Sequence, residues 1–188
     1  MSYKKRRSSY GGSLTGGSGD VNPQFMNIAI TQSAADTYTQ LTTPIPIQRL
    51  QNSGRAQVME VLKVFAEASQ LSTVGAAAIQ HRISLQLTTK SFAAEVALSE
   101  PTCFFRYQKE NINSFTAAGT GLLNMEYEPY VADFTDGAGH GILIASDNIF
   151  LGINSLATGN QNLASVKILY RWKDVSIQEY VGIVQSQQ

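Results

Sequence analysis

Four consecutive basic residues near the start of the chain, Lys4-Lys5-Arg6-Arg7, carry the clearest chemical signal in the sequence. The Ser- and Gly-rich segment that follows, residues 8–19, has the composition of a flexible tether. Tethered cations can reach several phosphates and release their counterions, which gives sequence-independent, salt-sensitive binding to nucleic acid. The alternative is a solubilising or nuclear-targeting tail. We predict that Lys4, Lys5, Arg6 and Arg7 bind nucleic acid.

The charge distribution sets this cluster apart from the rest of the chain. The 188 residues contain 14 Lys and Arg and 14 Asp and Glu, so the formal net charge is zero. Without the four N-terminal cations, ten basic residues remain against 14 acidic ones, and the remainder carries a charge of −4. Basic residues on an inner face of the domain are candidates to extend the basic surface: Arg49, Arg55, Lys167, Arg171 and Lys173.

Residues that usually perform catalysis are scarce. His81 lies inside a strand-like pattern and His140 lies in the glycine-rich segment 136–141, and neither is near a GxSxG-like nucleophile elbow. Cys103 lies in a run of apolar residues, which is typical of a small core residue. The glycine-rich segment lacks the Lys-Ser/Thr of a phosphate loop, and this favours a tight connection between strands. We predict no catalytic residue and a protein that is not an enzyme.

Three aspartates, Asp133, Asp136 and Asp147, bracket the same glycine-rich segment. Carboxylate oxygens are the ligands that Ca²⁺ prefers, so these residues are the candidates for a metal site. The spacing is not that of an EF-hand, and solvated turn aspartates are the expected state. A Ca²⁺ site at a subunit interface is the alternative. We predict no other metal or cofactor.

From Phe25 onward, runs rich in β-branched and aromatic residues alternate with turn residues. The predicted strands lie at 25–30, 37–43, 56–68, 79–89, 102–109, 122–131, 141–144 continuing to 150–153, 164–173 and 175–184. Eight or nine strands at intervals of roughly ten residues, without a convincing long helix, indicate a sandwich or a barrel. The predicted fold class is all-β.

Two of these runs carry most of the information. Residues 164–173 alternate, and one face carries the β-branched and aromatic side chains of Val166, Ile168, Tyr170 and Trp172. Such a face is buried, and the opposite, mostly cationic face is not. Residues 56–68 also fit helical spacing, but their β-branched content favours a long strand. In a regular strand, Glu60 would share a face with Val64 and Ala66.

Length and composition add further expectations. The length fits one domain, which we divide into a flexible arm over residues 1–22 and a β domain over residues 23–188. Only 15% of the residues are charged, which suggests that partners cover much of the surface. The single cysteine excludes an intrachain disulfide and favours a reducing compartment. No apolar run approaches the ~20 residues of a membrane span and the basic start lacks a secretory h-region, so we expect an intracellular protein without a membrane partner.

A basic arm, a Gly/Ser hinge and one long β domain resemble the coat proteins of small icosahedral viruses. The resemblance is closest to the capsid proteins of CRESS-DNA viruses, whose genomes are circular single-stranded DNA. The segments that carry it span nearly the whole chain: LTGGSGDVNPQ (14–24), PIPIQRL (44–50), RAQVMEVLKVF (55–65), DFTDGAGHGILIASDNIF (133–150) and VKILYRWKDVSIQEYVGIVQSQQ (166–188).

This resemblance implies a single jelly roll with two antiparallel four-stranded sheets, whose arm points into the particle. It further implies that the chain self-assembles into the smallest icosahedral shell, of sixty copies, around single-stranded nucleic acid. The protein would then reside in the virion, and during assembly in the host cell interior, with the nucleus as one candidate compartment. Which host receptor it would bind does not follow from the sequence.

The arm departs from the resemblance, because the arms of circovirus-like coats are longer and richer in Arg. Four cations in each of sixty copies supply about 240 positive charges, fewer than the phosphates of a genome of about one kilobase. Inner-face basic residues and small cations would have to cover the difference.

Two other functional classes compete with the capsid hypothesis. A soluble jelly-roll binding module, lectin-like or trimeric, would need a polar-aromatic site, and Tyr127–Tyr130 (YEPY) is the candidate. Such a module has little use for a tethered basic cluster. A hydrolase on a β-sandwich is disfavoured by the scarcity of His and Cys.

Overall fold

The computed structural model describes residues 22–45, 54–69, 80–112, 114–116, 119–121 and 129–187. These residues contain eleven strands and one helix. They are β1 (Gln24–Thr31), β2 (Thr39–Pro44), β3 (Arg55–Ala68), β4 (Gln80–Thr88), β5 (Cys103–Ile112), β6 (Ser114–Thr116), β7 (Gly119–Gly121), β8 (Tyr130–Asp133), β9 (Ile142–Ile144), β10 (Asn148–Leu156), β11 (Leu163–Ser176) and α1 (Ile177–Ser186).

The strands form two antiparallel sheets that face each other, and β6 and β7 form a separate hairpin. The first sheet has the order β1-β11-β3-β8, and β9 also pairs with β3. β8 pairs with residues 63–66 and β9 with residues 59–61, so the two lie end to end along one side of β3. Together they occupy one strand position, interrupted at residues 134–141. The second sheet has the order β2-β10-β4-β5.

The pairing is nested along the chain. With the β6–β7 hairpin set aside and β8 and β9 counted as one position, the first strand pairs with the last, the second with the next to last, the third with the sixth and the fourth with the fifth. Four such pairs, divided between two packed sheets, make a jelly roll. The prediction of an all-β jelly roll with two antiparallel four-stranded sheets is confirmed.

The core lies between the sheets and follows the alternation of side chains along each strand. β11 contributes the buried row that its sequence predicts: Val166, Ile168, Tyr170 and Trp172. The opposite sheet contributes Ile83, Leu85, Leu87, Ile149, Leu151 and Ile153, all at most 1% exposed. Burial of each such aliphatic side chain stabilises the fold by roughly 1.5–3 kcal/mol. This core fixes which side of every strand faces outward.

β3 changes faces at a β-bulge. In its register with β11, one residue, Leu62, has no opposite residue. Val64 faces the core on one side of the bulge and Val61 faces it on the other, because the extra residue exchanges odd and even positions. Glu60 therefore turns to the outer face of the sheet. The expectation that Glu60 shares a face with Val64 is wrong for this reason.

α1 occupies most of the run 175–184 that the sequence analysis assigned to a strand. β11 ends at Ser176, whose Oγ accepts a hydrogen bond from the backbone N–H of Glu179 at 3.2 Å. Tyr180 and Ile183 of the helix pack against a small cluster on the outer face of the first sheet, formed by Ala56, Val58 and Val175. The strand prediction is therefore wrong beyond Ser176. No helix among the described residues is long and apolar enough to span a bilayer.

The remaining strand predictions agree with the structure apart from their ends. Predicted strands at 25–30, 37–43, 56–68, 79–89 and 102–109 correspond to β1 to β5, and 164–173 lies within β11. The predicted run 141–153 is two strands, β9 and β10, separated at residues 145–147. Of the predicted strand 122–131, residues 122–128 lie outside the described residues, and β8 begins at Tyr130.

Candidate assembly and nucleic-acid interfaces

The predicted nucleic-acid-binding residues lie outside the part of the chain that the structure describes: Lys4, Lys5, Arg6 and Arg7. Arg49 and Tyr127 lie outside it as well. The structure therefore reports on the cations of the β domain, which the sequence analysis considered as an extension of the basic surface. Two of these cations, Arg171 and Lys173, lie on the outer face of β11 and meet an acidic partner there.

That partner is Glu60, whose side chain is 0% exposed. Its carboxylate accepts a hydrogen bond from Arg171 Nε at 2.5 Å and lies 3.5 Å from Lys173 Nζ. The backbone N–H of Gly141 donates to the same carboxylate at 3.1 Å, and Arg171 Nη2 donates to the Gly139 carbonyl at 3.1 Å. One buried carboxylate thus ties β3, β11 and the 134–141 connection together. We call this group the Glu60 cluster.

The electrostatics of the Glu60 cluster favour the charged carboxylate. Burial alone would raise the pKa of Glu60, but hydrogen bonds from Arg171 and Gly141, together with the charge of Lys173, lower the pKa below its usual value. The carboxylate in turn offsets one of the two positive charges of Arg171 and Lys173, which were candidates for binding phosphate. Arg171 and Lys173 are therefore engaged inside the subunit.

A second ion cluster lies on the outer face of the other sheet. Glu95, in the connection between β4 and β5, forms ion pairs with Arg106 and with Arg82, the latter at 3.8 Å. Asn154 of β10 donates to the same carboxylate at 2.9 Å. Burial would raise the pKa of Glu95, but these partners lower it below its usual value. The 89–102 connection is therefore fixed on the sheet by charge.

The same connection is also held by amide groups. Its Val96 N–H donates to Gln86 Oε1 at 2.9 Å, and its Ser91 hydroxyl donates to Gln40 Oε1 at 2.7 Å. Gln40 and Gln86 each donate to the hydroxyl of Tyr38, whose pKa is raised by burial. These hydrogen bonds hold the 89–102 connection against a polar outer face.

The three candidate metal ligands do not converge. Asp133 lies 2.8 Å from Lys63 Nζ and accepts hydrogen bonds from Thr135, and these contacts lower its pKa. Asp136 accepts from the backbone N–H groups of Ala138 and His140, and its lowered pKa follows chiefly from the latter bond. Asp147 lies beyond β9, where its backbone carbonyl accepts from Ile45 N–H. Among the described residues, no group of three His, Cys, Asp or Glu side chains could hold a metal ion.

The residues considered for catalysis occupy structural positions. His81 is buried, and its Nδ1 lies 2.5 Å from the Ala157 carbonyl oxygen. His140 is exposed and pairs with Asp136 at 3.2 Å within one turn. Cys103 is buried, which confirms its assignment to the core, and burial raises the pKa of its thiol.

A buried polar network joins two connections at one end of the sandwich. Gln32, after β1, exchanges hydrogen bonds with Ser155 and accepts from Asn162 at 2.8 Å. Asp36 accepts from the backbone N–H and the hydroxyl of Thr158. Each of these groups has hydrogen-bond partners within the chain, so the network stabilises the connections.

The outer face of the first sheet is apolar at its two ends, and among the described residues only one end is covered. At the covered end, α1 packs over Ala56, Val58 and Val175. At the open end, Phe25 of β1 is 56% exposed, its ring 6.5 Å from that of Phe65 and 5.3 Å from Lys167 Nζ. An open groove of about 630 Å³ lies here, and its lining includes Phe25, Asn27, Ala29, Phe65, Pro129 and Lys167. Exposed apolar patches of this kind mark interaction surfaces.

The aromatic segment proposed for a binding module is only partly described. Tyr130 is half exposed and stacks on Tyr107, with ring centroids 5.1 Å apart, and it also contacts Phe105. Its ring therefore packs against the opposite sheet at the edge of the sandwich. This contact gives Tyr130 a structural role.

Neither the Glu60 cluster nor the cluster around Glu95 was predicted from the sequence. A signal for the first was present, because Glu60 is the one charge within the apolar run Val58–Leu62. A buried carboxylate needs a cationic partner, and the cationic face of β11 was already evident. The bulge in β3 that brings Glu60 and these cations together has no comparable signature in the sequence. Glu95 lies in a connection whose path over the sheet depends on tertiary structure.

Comparisons with known proteins add one result about the fold. No protein-family model matches the chain, and no curated protein matches its sequence. Among solved structures, a chain of the Merkel cell polyomavirus virus-like particle is similar, with a TM-score of 0.50 and 8% identity over 94% of this chain and 82% of that chain. VP1 of Trichodysplasia spinulosa-associated polyomavirus, in complex with GM1 oligosaccharide, has a TM-score of 0.49 and 8% identity over 85% and 96% of the two chains.

A third similar structure is VP1 of human polyomavirus 12 in complex with 3'-sialyllactosamine, with a TM-score of 0.46 and 8% identity over 81% of this chain and 100% of that chain. At such low identity, what is shared is the fold. The chain is a jelly roll. All three structures come from polyomaviruses, so the circular single-stranded DNA genome expected from the sequence resemblance stays a prediction.

Proposed function

We propose that this jelly-roll chain is a viral capsid protein. It assembles with copies of itself into a small icosahedral shell of sixty subunits. The shell packages single-stranded nucleic acid, which in the virus is circular DNA. Lys4, Lys5, Arg6 and Arg7 are the residues that contact the genome. The protein acts as a structural component of the virion rather than as an enzyme.

One observation carries the proposal: a nested jelly roll whose fold follows a chain of a virus-like particle over 94% of its length. The surface agrees with an assembled state, because only 15% of the residues are charged and an apolar groove opens on the first sheet. Such a surface is typical of subunits whose partners cover it.

The ion pairs of the domain support the assignment of the arm. Arg171 and Lys173 are held by Glu60, Arg82 and Arg106 by Glu95, and Lys63 by Asp133. Each carboxylate offsets one positive charge, so these pairs reduce the charge that the domain offers to phosphate. The arm carries four consecutive cations outside these pairs.

Assembly is tested by expressing the chain and examining it by negative-stain microscopy and size-exclusion chromatography with light scattering. We expect uniform hollow spheres that contain nuclease-resistant nucleic acid. A monomer or trimer without nucleic acid at high protein concentration would contradict the capsid function and favour the soluble binding module.

The role of the arm is tested by replacing Lys4, Lys5, Arg6 and Arg7 with Gln, which keeps the length of the tether. We expect shells that form normally but retain little nucleic acid, as does a deletion of residues 1–10. A matched control, Lys4→Arg with Lys5→Arg, keeps the charge and should keep the nucleic acid. Unchanged nucleic-acid content in the Gln variant would overturn the role of the arm.

Binding measured on unassembled chain gives a quantitative version of this test. Four phosphate contacts on single-stranded DNA predict that log K falls with log salt concentration at a slope of about −3. The four-Gln variant should have a slope near zero. Comparison of single-stranded with double-stranded DNA and with RNA then tests the preferred class of genome.

A further inference from the structure

The free edge of β1 lacks the usual protection of edge strands. β1 pairs with β11 on one side, and among the described residues no strand pairs with its other side. Its eight residues, QFMNIAIT, contain no charged residue and no proline, and their register with β11 shows no bulge. Proteins normally protect such an edge with charge, proline or a bulge, because its unpaired N–H and C=O groups are a template for another strand.

The other edges of the two sheets carry these protections. The β8–β9 edge is interrupted by the 134–141 connection and carries the Lys63–Asp133 ion pair. β5 contains Arg106, Lys109 and Glu110. β2 is uncharged, but it is shorter, with six residues, and ends at Pro44. The contrast singles out β1 as the edge that accepts a partner.

We propose that β1 pairs with β1 of a second copy of this chain, antiparallel across a two-fold axis, so that the two first sheets become continuous. The axis is perpendicular to the sheet, because this orientation keeps both outer faces on the same side. Residues opposite each other in an antiparallel pair share a face. Phe25, Asn27 and Ala29 on the outer face must therefore meet outer-face residues of the second copy.

Two symmetric registers give the longest overlap. Centred on Asn27, the pairing places Phe25 of each copy opposite Ala29 of the other. Centred on Ile28, it places Phe25 opposite Thr31. The first register matches a large apolar side chain to a small one, at the end of the groove where Ala29 and Ser165 leave space. The structure therefore favours the register centred on Asn27.

Charge permits this pairing. An uncharged strand brings no like charges face to face when it meets its own copy. The nearest cations on the outer face are the two Lys167 residues, on β11 of each copy, opposite Asn27 in the register. Three inter-strand spacings separate them, about 14 Å, which exceeds the Debye length of about 8 Å at physiological salt.

The size of the contact predicts its strength. The seven residues paired in the register centred on Asn27 span about 23 Å, and a contact one strand wide buries less than the roughly 800 Å² per partner of a typical stable pair. The isolated dimer is therefore weak, and additional contacts in a larger assembly strengthen it by avidity. A test must trap the dimer or weaken it selectively.

Asn27→Cys traps the dimer. Opposite residues in an antiparallel pair have Cα atoms about 4.5–5.5 Å apart, within the range that a disulfide spans. We expect disulfide-linked dimers, and no larger species, on non-reducing gels after mild oxidation. The native Cys103 is buried and stays out of the reaction. The control is Gln108→Cys, an exposed position on the edge strand of the other sheet, which should stay monomeric on the gel.

Charge tests the symmetry. Asn27→Lys and Asn27→Asp each place like charges on the axis, so each variant alone should lose the dimer, and their mixture should recover it as a heterodimer. Sedimentation velocity measures all three, and circular dichroism verifies folding. Gln108→Lys is the control that adds the same charge elsewhere. The proposal would be overturned if Asn27→Cys cross-linked no more than Gln108→Cys. It would also be overturned if all charge variants dimerised equally.

The pairing does not depend on the capsid function. A dimer that cross-links through Asn27→Cys, in a chain that never forms shells, would support the β1 contact and contradict only the proposed function. Shells that form although Asn27→Cys does not cross-link would support the proposed function and contradict only the β1 contact.

Discussion

The two ends of the outer face of the first sheet both include residues of β3, but they differ in what covers them. At one end, β3 and β11 present Ala56, Val58 and Val175, and α1 covers them. At the other end, β1 and β3 present Phe25 and Phe65, and the groove above them is open. One end is covered within the chain, and the other is open among the residues that the structure describes. The Glu60 cluster lies along β3 between the two ends.

Chain connectivity decides which apolar surface is covered. α1 begins where β11 ends, at Ser176, and a helix of ten residues reaches about 15 Å, which suffices only for the nearer end. The bulge at Leu62 turns Glu60, Val58 and Ala56 to the side where the helix lies. The covered end thus depends on a charge and a helix, and the open end depends on neither.

The largest expected effect is the loss of Glu60. Glu60→Ala leaves Arg171 and Lys173 without their carboxylate and frees Gly141 N–H, and removal of one partner from a buried ion cluster costs about 3 kcal/mol. Urea unfolding of the unassembled chain measures it. Glu67→Ala, an exposed acid on the same strand, should change stability by less than about 0.5 kcal/mol. Equal effects of the two changes would remove the distinction between the ends.

Gly141→Ala should give the next largest effect. A Cβ at Gly141 would lie 2.0 Å from the Val61 carbonyl oxygen, so the backbone of the connection must shift and its bond to Glu60 weakens. We expect a loss of about 2 kcal/mol. Gly137→Ala, in the same connection with nothing within 4 Å of its Cβ, is the matched control and should be nearly neutral. Similar urea midpoints for both variants would contradict the close approach.

Two substitutions, one at each end, are expected to have smaller effects on stability. Ile183→Ala removes a side chain that covers the cluster of Ala56, Val58 and Val175, and it should cost about 1 kcal/mol. Phe25→Ala removes a larger but half-exposed side chain from the open end and should cost about 0.5 kcal/mol or less. Urea midpoints rank the two. A larger loss for Phe25→Ala would mean that the open end is part of the subunit's own core.

The smallest effect is a dependence on pH. Because the folded-state pKa of Glu60 is lowered, its contribution is complete above the unfolded pKa of about 4.3 and is lost as pH falls through the lower, folded value. The stability advantage of the wild type over Glu60→Gln should therefore shrink as the pH falls below about 4.3. Urea midpoints at neutral and acidic pH measure it, and an advantage that grows on acidification would contradict the assigned charge state.

Sequence patterns predicted the parts of the fold that local alternation determines. β11 alternates cleanly, so its buried row followed from the sequence. The segment of α1 was predicted as a strand because Ile177, Val181 and Val184 look β-prone. Two helical signals were nevertheless present: Ser176 and Glu179 form the Ser-x-x-Glu capping pattern, and the apolar spacing is helical. The prediction of a strand gave β-branched content too much weight.

The candidate surfaces were harder to predict than the fold. The unprotected edge of β1 follows from its position at the end of a sheet, and position depends on pairing with β11, the most distant strand along the chain. The Glu60 cluster requires the bulge at Leu62, which inserts one residue without a distinctive sequence. By contrast, the arm is visible in the sequence alone, because its charges are consecutive and need no fold to bring them together.

The nested pairing has a consequence for the order of events in synthesis. β1 is made early, yet its neighbour in the sheet, β11, is made after every other strand. Contacts between such distant segments are slow to form, since the whole intervening loop must close first. The edge that we expect to recruit a second copy therefore acquires its register only when the last strand docks. Recruitment through β1 would thus select finished chains over nascent ones.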